Sequence, residues 1–201
     1  MYYHFSYGSE KNMCMKIKEL NGLTADSILN KYWERNKVPI DIAHMLYDMD
    51  IKVTPFNFSK TEDILNISHG EILGAVLTYK DDVLIAYKKD ETVNRTRFTL
   101  AHELAHCCLS HIVPSQKGYI ELRRKDNNNE REIEANIFAG ELLIPEQELS
   151  GVLKRFYDNS FPSSEILAQI FSVSINVMEE RLKHLKIPFI DSNKTKIICV
   201  E

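Results

Sequence analysis

Segments whose apolar residues recur every three to four positions alternate along the chain with segments where apolar residues run together. From residue 24, "TADSILNKYWERNKVPIDIAHMLYDMD" carries the first pattern twice and predicts two helices broken at Pro39, with Thr24 or Asp26 at the first start and Asp41 at the second. "IKVTPF" predicts a short strand. "EILGAVLTYKDDVLIAYK" holds two runs rich in Val, Ile, Leu and Tyr around the charged turn Lys80, Asp81, Asp82, which is the pattern of a β-hairpin. "RTRFTLAHELAHCCLSHI" has no Gly or Pro and is apolar nearly all round, so it predicts a buried helix with Asn94 as N-cap, ended by Pro114. The polar, asparagine-rich residues 114–130 predict a long exposed loop, and "REIEANIFAGELLI" a helix stopped by Pro145. "EQELSGVLKRFY" and "SSEILAQIFSVSINVMEERLKHLK" predict three further helices, broken around Phe161 and Pro162, with Ser163 and Ser174 as caps; "TKIICV" predicts a final strand. No internal repeat is visible, and Asn127 to Asn129 is the one low-complexity stretch.

Size and charge narrow the picture. At 201 residues, 44% hydrophobic and 27% charged, the chain fits one globular domain with a sizeable core. The expected organisation is an N-terminal extension over 1–22 and a single domain over 23–201, with a catalytic part to about 145, a helical part over about 146–190 and a final strand at 195–200. A net charge of −4 gives no global case for nucleic acid or an anionic membrane. The N-terminal twenty residues mix aromatics with charge and lack the apolar run of a secretory signal, and no transmembrane span appears. Cys14, Cys107, Cys108 and Cys199 are too few and too irregular for a disulfide framework, so a reducing cytoplasm is expected.

The chemistry concentrates in "FTLAHELAHCCLSH", residues 98 to 111. His102, Glu103, Leu104, Ala105 and His106 make the pattern His-Glu-x-x-His. On a helix, residues four apart lie about 40° apart around the axis, one turn above the other, so both imidazoles can point at one ion. Glu103 lies about 100° from His102, within reach of a water at that ion. Zinc suits such a site, because it takes nitrogen and oxygen donors in a tetrahedron and leaves one position open when the protein supplies three. His111 lies about 140° from His106 and cannot join the ion while the helix continues. It is expected to sit at the helix C-terminus, facing the dipole. Cys107 and Cys108 point away from the histidine face and are expected to pack as small hydrophobes.

The third donor is expected on the following helix. A wheel over that segment puts Glu132, Ala135, Asn136, Ala139, Leu142 and Leu143 on one face and Glu134 roughly opposite. Glu132 is therefore the expected third ligand, with Asn136 as a hydrogen-bond partner of a ligating imidazole. An oxyanion stabiliser is also expected, with Tyr119, His184 and Arg181 as unranked candidates. The strand over residues 72–79 could align an extended substrate. A rival reading takes "ILAQIFSVSINVMEERLKHLK" as a DNA-binding helix-turn-helix, but Glu179 and Glu180 are poorly suited to phosphate contact. A second rival is an inactive docking module that keeps the metal.

"RFTLAHELAH", "EIEANIFAGELLIP" and "LAQIFSVSINVMEERLKHL", preceded by "VPIDIAHMLYDMDIKV", together resemble the ImmA/IrrE family of metallo-endopeptidases over roughly residues 25 to 187. The resemblance implies a soluble zinc peptidase that cuts a repressor-like regulatory protein in mobile-element or stress-response regulation. His102 and His106 match the family's histidine ligands, Glu103 its catalytic glutamate and Glu132 its glutamate ligand. Ala105 stands where glycine is frequent and Ile144 where methionine is frequent. Residues 1–22 are too short for the helix-turn-helix domain that some relatives carry, so the expected partner is a separately encoded transcriptional repressor; direct nucleic-acid and membrane binding are not expected. The expected fold is α+β and zincin-like, of the gluzincin type: a small, mainly antiparallel sheet packed on two metal-bearing helices, with a helical C-terminal part.

Overall fold

Lys80 and Asp81 both adopt left-handed backbone, with φ of 50° and 70°. That geometry suits a two-residue turn whose twist matches the flanking antiparallel strands. The turn joins β2 (Ile72–Tyr79) to β3 (Asp82–Lys88) in a computed structural model that describes residues 15–34, 37–112, 119–124, 129–156, 160–193 and 196–199. The hairpin forms the middle of a four-stranded sheet. On one side β1 (Lys52–Phe56) runs parallel to β3; on the other β4 (Tyr119–Arg124) runs antiparallel to β2. The fold is therefore α+β with a mixed sheet.

Strand β4 lies within the segment expected to be a loop. Its sequence, "YIELRR", carries too few apolar residues to stand out, as suits an edge strand that pairs with only one neighbour. The flanks of that loop, 113–118 and 125–128, lie outside the described residues. The pairing of β2 with β4 slips between Ile72 and Gly74, so Leu73 is an extra residue and the alternation of faces resets there. Ile72, Ala75 and Leu77 thus share the face that packs with Ala86 and with Phe58, just ahead of α4 (Ser59–Leu65), a helix that the sequence reading passed over. Buried Glu62 of α4 accepts the N–H groups of Gly70 and Ile72, each at 2.9 Å, where the chain enters β2. Burial pushes its carboxyl up, but those two hydrogen bonds, together with the charges of His69 and Lys88, hold the group below the usual range.

The opposite face of the sheet carries Val76, Val83 and Ile85 into the main core, against Leu100, Ala101 and Leu104 of α5 (Val93–Cys108). Thr92, not Asn94, caps α5 by accepting the N–H of Arg95 at 3.4 Å, and Asn94 instead donates to the carbonyl of Val173 at 3.0 Å. The guanidinium of Arg97 donates to the carbonyls of Ile40 (2.6 Å), Ser172 (3.0 Å) and Phe171 (3.3 Å), which ties α5 to two distant turns. Helix α6 (Glu130–Leu143) packs along α5; α2 (Ala25–Tyr32) and α9 (Ile175–His184) pack on α6, α3 (Ile42–Asp48) on α5 and α8 (Ser164–Phe171) on α9, while α7 (Glu146–Phe156) sends Leu149 into the core. Thr24, Asp41, Ser163 and Ser174 cap α2, α3, α8 and α9.

Packing begins before residue 23. Ile17 and Leu20 of α1 (Ile17–Leu20) are fully buried in the main core, and the preceding Lys16 bridges to Asp82 through backbone and side chain. At the other end β5 (Phe189–Ile190) pairs with β6 (Ile197–Ile198), the latter within the final strand expected from the sequence. Helix α9 turns Met178, Arg181 and Leu182 inward and packs on α6. No described helix is long and apolar enough to cross a membrane.

Candidate metal centre

Two adjacent helices bring the donors together. His102 and His106 occupy successive turns of α5, and Glu132 sits in the first turn of α6, where Asn129 caps the helix by accepting its N–H at 3.1 Å. A carboxylate in a first turn also meets the positive end of the helix dipole. The Nε2 atoms of His102 and His106 are 3.0 Å apart; Glu132 approaches the first at 3.1 Å through Oε2 and the second at 3.4 Å through Oε1. All three residues are buried, at 0%, 2% and 5% exposure.

Those separations fit a cation. Donors about 2.0 Å from a tetrahedral ion stand roughly 3.3 Å from one another. His102 Nδ1 lies 2.9 Å from the amide oxygen of Asn136, which can only accept, so a neutral His102 carries its proton there and turns a lone pair at Nε2 toward the cluster. Two imidazole edges and a carboxylate this close, away from water, need positive charge among them: protons on the rings or a metal ion. Burial pushes the Glu132 carboxyl up; where protons supply the positive charge, hydrogen bonds from the His102 and His106 rings and their charge outweigh it and hold the group well below the usual range. Among the described residues this is the one group of His, Cys, Asp and Glu whose donor atoms could hold a metal ion.

Glu103, also fully buried, turns toward the sheet. A Cβ placed on Gly74 of β2 would stand 2.6 Å from Glu103 Oε1 and 2.6 Å from Thr99 Cγ2, so this glycine is what lets α5 lie so close to the strand. Gly74→Ala should cost about 1–3 kcal/mol in urea unfolding, because two α5 side chains must move, and should lower any activity that depends on Glu103. Gly151→Ala, in open space within α7, is the control: it should leave activity unchanged and raise stability by up to about 1 kcal/mol. Equal stability of the two variants would show that α5 is not fixed by this contact.

His111 is not where the sequence placed it. Helix α5 stops at Cys108, short of Pro114; Ser110 takes a left-handed φ of 60°, and the N–H of His111 closes back on the carbonyl of His106 at 3.0 Å. The chain thus reverses, and the His111 ring comes to lie against His106, Nδ1 to Nδ1 at 3.0 Å, with its Nε2 3.0 Å from Glu134 Oε2. The helical wheel that separated these residues assumed a helix that had already ended. Burial pushes the His111 imidazole below its ordinary range, against the opposing pull of Glu134. Glu134 stays outside the cluster and is largely exposed. Cys107 and Cys108 are buried, and burial pushes both thiols up, Cys108 to about 12, so neither offers a thiolate.

Of the residues considered for an oxyanion, Arg181 is engaged elsewhere: its Nε donates to the carbonyl of Ile144 at 3.2 Å, at the far end of α6, about 18 Å along the helix from Glu132. His184 is exposed and lines a groove of about 700 Å³ between α6 and α9, together with Asn136, Phe98, Ile133 and Ile137. The side chain of Tyr119 lies outside the described residues.

The chain matches the model of the peptidase M78 family, described as an IrrE N-terminal-like domain, over residues 49–183. This stretch is about two thirds of the chain and includes the whole cluster, Glu103 and Gly74. The chain belongs to this family. The M78 assignment makes it a metallopeptidase by family and bears out the resemblance drawn from the sequence. No curated protein matches this M78 chain.

Proposed function

We propose that the chain is a zinc-dependent endopeptidase of gluzincin type that cuts a separately encoded, repressor-like regulatory protein. The observation that carries this reading is the convergence of two imidazoles and a glutamate, 3.0–3.4 Å apart and buried, beside a second buried glutamate in a chain of the M78 family. His102, His106 and Glu132 would hold the ion. When bound, zinc supplies a Lewis acid that acidifies water and polarises a peptide carbonyl.

The remaining work falls to the chain's own groups. Glu103 takes the proton of the attacking water and delivers it to the leaving amine nitrogen. Asn136 fixes the His102 ring through Nδ1. Substrate alignment falls to β4 and not to β2, because both edges of β2 are used by β3 and β4, whereas the outer edge of β4 pairs with no strand among the described residues. Arg123 of β4 stands across from Gly74, so that edge runs past the strand position that touches Glu103. The groove between α6 and α9 gives an apolar substrate side chain a place beside Asn136.

The test is incubation of the purified chain with candidate repressors, with zinc or with chelator, followed by intact-mass detection. Two fragments whose masses sum to the substrate plus one water, present with zinc and absent with chelator, are the expected result. Fragments that persist in chelator would count against metal-dependent hydrolysis.

A further inference from the structure

We infer that His111 and Glu134 form a positioning relay that fixes the proton on His106 Nδ1 and so leaves Nε2 bare to face the metal. This rests on the reading of His106 as a ligand through Nε2. Three contacts in series carry it: His106 Nε2 to Glu132 Oε1 at 3.4 Å, His106 Nδ1 to His111 Nδ1 at 3.0 Å, and His111 Nε2 to Glu134 Oε2 at 3.0 Å. Each neutral imidazole has one N–H and one lone pair, and a carboxylate only accepts.

With a cation among His102, His106 and Glu132, the order of protons starting from Glu134 has one solution without a clash. The carboxylate accepts from His111 Nε2–H; His111 Nδ1 is then a lone pair; His106 must donate to it from Nδ1; and His106 Nε2 is left to face the cation. In the opposite order His111 would turn a lone pair toward the carboxylate at 3.0 Å, and His106 would carry its proton at the atom that faces His102 and Glu132. The chain reversal at Ser110 is what makes this possible, since it brings a residue from beyond the helix into hydrogen-bonding distance of a ring within it. His111 itself is almost fully enclosed, with a side chain 7% exposed, so water does not readily replace it; Glu134 is 60% exposed, and water can replace part of its effect.

Two measurements decide the point. In ¹⁵N-histidine-labelled protein, long-range proton–nitrogen correlation should show His111 in its Nε2–H tautomer, in both zinc-loaded and metal-free protein; an Nδ1–H tautomer would overturn the relay. In chelator competition, His111→Gln, whose side-chain oxygen can still accept from His106, should keep zinc affinity within severalfold of the parent, while His111→Phe, which fills the volume but accepts nothing, should lose about 10- to 100-fold. A purely packing role predicts the reverse order, so Phe matching the parent would sink the proposal. Should the parent chain bind no zinc, the metal-centre reading falls instead, and the His111 tautomer in metal-free protein still decides the relay.

Discussion

Glu103→Gln should bind zinc as tightly as the parent chain and turn over peptide at least about a hundredfold more slowly. The amide has nearly the shape of the carboxylate, so the close approach to Gly74 and Thr99 is kept, and none of the three clustered donor atoms is touched. What is lost is the capacity to take a proton from water and return it to nitrogen. A hundredfold corresponds to about 2.7 kcal/mol of barrier, within the usual range for removal of one general base. The same variant separates the peptidase from a docking module that retains the metal: in such a module the substitution would leave the partner interaction and its metal dependence as they were. Single-turnover cleavage at saturating zinc reads the effect directly, and unchanged rates would take Glu103 out of the chemistry.

The difference between what the sequence disclosed and what it hid follows from the range of each signal. The hairpin was legible because turn and strands lie within one 18-residue window and both carry strong local preferences. The choice of Glu132 over Glu134 rested on a wheel drawn over α6, and the structure places Glu132 with the histidines because α6 runs unbroken from Glu130 to Leu143. The same tool failed for His111, because α5 ends at Cys108 and a single left-handed serine redirects the chain. Nothing in "CCLSH" marks Ser110 as that residue; asparagine or glycine would have been the usual signal. Strand β4 was hidden by its polar edge composition, and the parallel partnership of β1 with β3 depends on contacts across more than thirty residues, which no local window contains. Nothing local marks Gly74 either, because its need arises from a glutamate on another element.

Removing Glu132 should abolish zinc-linked stability altogether, a larger thermodynamic change than any outer partner of the cluster can produce. A ligand that binds only the folded chain stabilises it by RT ln(1 + [L]/Kd), about 4 kcal/mol at a thousandfold excess over Kd. In the parent chain, zinc should therefore raise the unfolding temperature in proportion to the logarithm of its concentration. Glu132→Ala leaves two imidazoles with no anionic donor in a buried site, and the charge of a divalent ion is then poorly matched there. Its loss of affinity should exceed the roughly 10- to 100-fold typical of outer hydrogen-bond partners, so the zinc-dependent shift should vanish at concentrations that saturate the parent. Glu134→Ala, which changes an exposed carboxylate two residues along the same helix, should keep most of that shift. The pair controls for the generic cost of deleting an acidic side chain near the start of α6. A Glu132→Ala protein that warmed with zinc as the parent does would mean that the third donor is some other group, and that the 3.1 and 3.4 Å contacts of Glu132 serve only to hold two histidines in place.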